Sequence, residues 1–166
     1  MDYPSEAART LCQILSFDPK DREGLDPASI VDWQSVCRLA VQQNLAPLLY
    51  RRIKDLGITA HLPCEVYEDL RNRYLYSAAS SMRLYHEFGK VMTAMQAAHI
   101  PIIPLKGIYL AQTVYKNPAL RPMCDIDILV KPNDITLSVD VLKALGYSPT
   151  RKFDCINDST AKSKKR

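Results

Sequence analysis

Two aspartates stand two residues apart in Asp125-Ile126-Asp127-Ile128-Leu129-Val130. Alternation of polar and apolar residues predicts a strand over 125–130, with Asp125 and Asp127 on one face and Ile126, Ile128 and Val130 on the other. A rise of about 3.3 Å per residue puts the two Cα atoms roughly 6.5 to 7 Å apart. Both carboxylates then lean toward one point, as binding of a hard divalent cation requires. Mg²⁺ suits such a pair, because it takes oxygen ligands and commonly binds through one or two carboxylates plus substrate phosphates. A bare Asp-X-Asp is also what a solvated strand edge presents, so its neighbours decide the reading.

Upstream, Ile102, Ile103 and Leu105 form a short apolar run, with Pro101 and Pro104 tolerable at its start or on an edge. Lys106-Gly107 follows, and Ile108, Ala111, Val114 and Tyr115 then carry helical spacing. Gly107 is expected to supply an unusual backbone angle or a close approach. A glycine turn feeding a helix aims unpaired N–H groups and the positive end of the helix dipole at an anion. Lys106 adds a point charge there. Arg121 is a second candidate phosphate ligand, with a salt bridge inside its own loop as the competing reading. An anion seat beside a divalent-metal seat makes the two halves of a nucleoside triphosphate site.

Leu105-Lys106-Gly107, the helix ending at Tyr115, Leu120-Arg121-Pro122-Met123 and the Asp125–Val130 segment together resemble the uncharacterised nucleotidyltransferase family of the polymerase-β-like superfamily. The resemblance is specific over about 101–147 and looser over the helical part before it. It implies Mg²⁺-dependent transfer of a nucleoside monophosphate from a nucleoside triphosphate, ATP among the candidates, to an acceptor hydroxyl. Asp125 and Asp127 would be the metal ligands and Lys106-Gly107 the triphosphate turn. The wider superfamily has Gly-Ser where this chain has Lys106-Gly107, so a hydroxyl contact to phosphate is missing. It also supplies a third carboxylate from a later strand, for which Asp154 is the candidate. The chain reads as a shortened member whose exposed sheet edge calls for self-association or a protein partner.

Composition bounds the alternatives. With 47% hydrophobic and 24% charged residues in 166, the chain is of ordinary globular type. The start lacks a basic leader before an apolar core and no run approaches a membrane span, so the expected location is the cytoplasm, with no membrane partner. The net charge of +4 invites a nucleic-acid reading. Its distribution argues against one: Arg151, Lys152, Lys162, Lys164, Lys165 and Arg166 outnumber Asp154 and Asp158 by four, which is the whole excess. The other 150 residues carry 16 basic and 16 acidic groups and show no stripe to track a phosphate backbone. Five cysteines, at 12, 37, 64, 124 and 155, are at least 25 residues apart, lack metal-ligand spacing and read as buried thiols.

The elements that must position the site are mostly helical. Ser5 caps a predicted helix over 5–17 with Ala8, Leu11, Cys12 and Leu15 inward. A second helix runs from Ser29 or Asp32 to Gln43, with Trp33 as a packing residue, and a third from Ala46 or Pro47 to Leu56, closed by Gly57. Pro63 opens a long helix to about Ala98, whose stripe is Val66, Leu70, Tyr74, Ser77, Ser81, Leu84, Phe88, Val91 and Met95. After the aspartates, a helix over 135–145 should bury Val139, Leu142 and Leu145, stop at Gly146 and lead into a strand from Tyr147. The expected fold class is α+β: a helical N-terminal part (1–99) with one long helix packed on a small mixed-sheet nucleotidyltransferase core (100–155), incomplete at the C-terminus, then a disordered basic tail (156–166). The rival reading is a non-catalytic protein of the same fold that binds nucleotide or a protein partner.

Overall fold

The computed structural model describes residues 5–30 and 32–148; Tyr147 and Ser148, the expected start of a third strand, are not in a strand, and the rest of that strand, Asp154, Cys155 and the basic tail lie outside the described residues. The fold is α+β. Six helices are described: α1 (Glu6–Leu15), α2 (Trp33–Gln42), α3 (Ala46–Asp55), α4 (Cys64–Ala97), α5 (Lys106–Thr113) and α6 (Ile135–Ala144). Two short strands, β1 (Ile102–Pro104) and β2 (Ile128–Val130), pair antiparallel with Ile103 opposite Leu129. The chain divides into two compact units: the residues up to Tyr85 with Leu105–Asp127, and His86–Pro104 with the residues from Ile128 onward.

Local chemistry explains the helix ends. The Ser5 hydroxyl accepts from the Ala8 N–H at 3.3 Å and the Asp32 carboxylate from the Ser35 N–H at 2.9 Å, each satisfying a first-turn donor. At the other end of α1, Arg52 donates to the Ile14 and Ser16 carbonyls at 3.3 and 2.6 Å. Those carbonyls have no partner inside the helix. Gly57 follows α3 at φ 69° and Gly146 follows α6 at φ 92°, the left-handed stop that glycine adopts without penalty.

In the first unit the core is Leu11, Ile14, Trp33, Val36, Ala40, Leu49, Ile53, Val66 and Leu70 with their neighbours. Trp33 is packing, as expected from its place on α2. In α1 the inward residues are Leu11 and Ile14, whereas Cys12, expected inward, is exposed. Cys64 and Cys124 are exposed too, so of the four cysteines described only Cys37 is a buried thiol.

The second unit has a smaller core of Val91, Met95 and Ile100, against which Ile102, Ile128, Val130, Val141 and Leu142 pack. The expected inward face of α6 is therefore shifted: Leu145 is exposed and Val141 packs instead. Ile103 and Leu129, opposite one another on the ladder, are both exposed. The stripe predicted on α4 is the face that it buries, with Val66, Leu70, Ser77, Ser81, Val91 and Met95 all inaccessible.

Candidate nucleotide site

The candidate site is built where the chain leaves β1 and where it approaches β2. The Leu105 N–H donates to the Asp127 carbonyl at 2.9 Å, which fixes the two segments side by side. Regular strand begins only at Ile128, so Asp125 and Asp127 precede β2 rather than standing within it as the alternation predicted. Burial alternates only in part: Asp125 and Leu129 are exposed, while Asp127 is half-buried along with Ile126, Ile128 and Val130.

One residue on, the chain enters α5. Its N-terminus has no side-chain cap, because Leu105 stands at that position. The first-turn N–H groups therefore remain available to a ligand or to water. Lys106 adopts the left-handed backbone, φ 46°, that the sequence suggested for Gly107. Glycine is needed next to it for space. A Cβ on Gly107 would lie 2.9 Å from the Met123 sulfur and 3.1 Å from its Cγ.

The Lys106 Nζ reaches back to Asp127 Oδ2 at 3.0 Å, with the two side chains 71% and 33% exposed. At that exposure the pair is worth about 0–1 kcal/mol, so it is readily exchanged for stronger partners. Arg121 does not form the salt bridge of its competing reading among the described residues. Its Nε is buried and has no hydrogen-bond partner among them.

Helix α4 holds this region by three contacts. The Tyr85 hydroxyl donates to the Ile108 carbonyl at 2.8 Å, the Ser81 hydroxyl to the Pro118 carbonyl at 3.0 Å, and Asn117 Nδ2 to the Tyr74 hydroxyl at 3.3 Å. Burial pushes the Tyr85 phenol above its ordinary pKa of 10.0 and keeps it a donor. These positioning residues were not singled out for the site by sequence reasoning. The available signal was the presence of Tyr74, Ser77 and Ser81 in a mostly apolar stripe, since polar groups there usually find a partner.

The family model described as uncharacterised nucleotidyltransferase matches residues 29–166. The chain belongs to the uncharacterised nucleotidyltransferase family. No curated protein and no solved structure matches it. Across the matched span of this family member lie Lys106, Gly107, Arg121, Asp125 and Asp127, together with the α4 residues that hold the turn. Carboxylate oxygens suit Mg²⁺, and two are at hand: Asp125 is exposed, and Asp127 is half-buried and paired with Lys106. No group of three His, Cys, Asp or Glu side chains suited to a metal ion occurs among the described residues. No helix among them is long and apolar enough to cross a membrane.

Proposed function

We propose that this family member binds a nucleoside triphosphate at the Lys106–Asp127 turn and transfers its nucleoside monophosphate to an acceptor hydroxyl, with Mg²⁺ as cofactor. The observation that carries the reading is the 3.0 Å approach of Lys106 Nζ to Asp127 Oδ2 beside the 2.9 Å Leu105–Asp127 backbone bond. It gathers a cation, an uncapped helix start and a carboxylate at one place. The chemistry is assigned to residues 100–155, with 1–99 as its helical support.

Lys106 exchanges Asp127 for a phosphate oxygen, and the first N–H groups of α5 receive another. Arg121, with an unpartnered buried Nε, is the second phosphate ligand. Asp125 and Asp127 would hold the metal, which would offset phosphate charge and polarise the reacting phosphoryl group. The acceptor oxygen forms its bond to the α-phosphorus as the bond to pyrophosphate breaks. Pyrophosphate leaves with that electron pair, and the hydroxyl proton passes to water.

The second reading is a non-catalytic module that binds nucleotide or a protein partner. That no third carboxylate completes a metal-holding group among the described residues favours it. Thermal melting with each of four triphosphates and Mg²⁺ tests both readings against Asp125→Asn plus Asp127→Asn. Ligand at about a hundred times Kd should stabilise the native chain by about 2.7 kcal/mol and the double variant by much less. A melting point indifferent to every triphosphate sinks the site. Binding without a labelled product supports the module.

A further inference from the structure

A cavity of about 440 Å³ opens beside the triphosphate turn, between the junction of α2 and α3, one face of α4, and Pro122-Met123. Its volume falls in the range of small-molecule sites, which combine apolar walls with a few fixed polar groups. Val41, Pro47, Pro122 and Met123 supply apolar walls. Asn72, Ser77 and Ser80 come from α4, and Asn44 from the opposite side. Arg73 also borders the space, but Asp69 engages it at 2.8 Å.

Two details single out this cavity. Ser77 is 3% exposed, yet its hydroxyl has no hydrogen-bond partner among the described residues. A buried polar group without a partner is costly and calls for a partner from outside the protein. Met123 is shared: it lines the cavity and touches the position where Gly107 would carry a Cβ. Met123 also lies two residues before Asp125, so their Cα atoms are at most about 7.6 Å apart. The cavity thus has a wall in common with the turn.

We infer that this cavity binds a nucleoside moiety. A flat heterocycle suits the Pro122, Met123 and Pro47 surfaces. The amides of Asn44 and Asn72 each offer a donor and an acceptor, the pairing that reads a base edge. Ser77 and Ser80 offer hydroxyls to the edge or the sugar, and the sole cation on the lining is already paired, so a neutral ligand is favoured. The inference rests on the proposed nucleotidyl transfer only for its purpose. The nucleoside belongs either to the triphosphate or to a nucleoside-bearing acceptor.

The test is titration of the full chain with adenosine, guanosine, cytidine and uridine, without phosphate or metal, followed by NMR or calorimetry. At least one nucleoside should bind saturably. Asn72→Ala, at an exposed position, and Ser77→Val, which removes the unpartnered hydroxyl, should each weaken it about tenfold, the equivalent of one lost hydrogen bond. Ser77→Val should leave the melting temperature unchanged or raised. The Asp125→Asn plus Asp127→Asn variant should bind nucleosides like the native chain, which separates this inference from the triphosphate reading. Competition between the bound nucleoside and triphosphate assigns the cavity to the donor, and simultaneous binding assigns it to the acceptor. No saturable binding of any nucleoside, or binding indifferent to both cavity variants, overturns the inference.

Discussion

A Cβ built on Gly107 would meet the Met123 sulfur at 2.9 Å, so the first turn of α5 and the approach to Asp125 are in direct steric register. Gly107→Ala gains about 1 kcal/mol of helix propensity and loses roughly 1–3 kcal/mol to overpacking against Met123. In a Met123→Ala background only the gain should survive. Urea unfolding of the four proteins reads the coupling directly. Equal effects of Gly107→Ala in the two backgrounds would show that the contact carries no energy.

Lys106→Met removes a charge without altering the chain path. Because the Lys106–Asp127 pair is largely exposed, the unfolding free energy should change by less than about 1 kcal/mol. Affinity for ATP with Mg²⁺ should fall about tenfold and become less sensitive to salt. Calorimetry at low and high salt checks both, and an unchanged salt slope would remove Lys106 from the phosphates.

The phenol of Tyr85 links stability to pH. Burial raises its folded pKa above the ordinary 10.0, so just above pH 10.0 the unfolded chain releases the proton first and stability falls as pH rises. Tyr85→Phe should cost about 1 kcal/mol at neutral pH through the lost bond to the Ile108 carbonyl. The difference between native and variant stability should then shrink through the alkaline range. Tyr50 and Tyr147 are displaced in the same direction and cancel in that difference.

Cys124 is exposed and adjacent to Asp125, whereas Cys12 is exposed on α1. Saturating ATP with Mg²⁺ should slow maleimide labelling of Cys124 and leave Cys12 unaffected, as peptide mass spectrometry would show. Equal labelling rates with and without nucleotide would place the ligand elsewhere.

Leu70 is fully buried in the first core. Leu70→Ala should destabilise the chain by about 2–5 kcal/mol, since the lost transfer energy and the remaining cavity add. Chemical denaturation would reveal a smaller cost if the neighbours collapse into the space.

The sequence made the long helix and its buried stripe legible, because steps of three and four residues from Val66 to Met95 permit one inward face. For α1 the same rule was ambiguous. Leu11 belongs equally to a face with Cys12 and to one with Ile14, and contact with α2 and α3 decides between them. Local alternation predicts a shared face for Asp125 and Asp127, yet Asp125 is exposed and Asp127 half-buried, and the strand's beginning at Ile128 depends on how far β1 runs before Lys106 turns. Gly107 was legible as special, and of the two reasons expected for it the close approach holds and the unusual backbone angle falls to Lys106, the neighbour being Met123, sixteen residues away. Sequence spacing carries no information about such a collision. Asp154 lies outside the described residues, and the third carboxylate stays an expectation.

Two of the three bonds from α4 to the 106–120 segment end on main-chain oxygens, those of Ile108 and Pro118. Every amino acid offers the same oxygen at those points. Variation in the side chains between them can therefore retune which molecule is accepted while the mooring stays intact, so a single scaffold lends itself to divergent chemistry without being rebuilt.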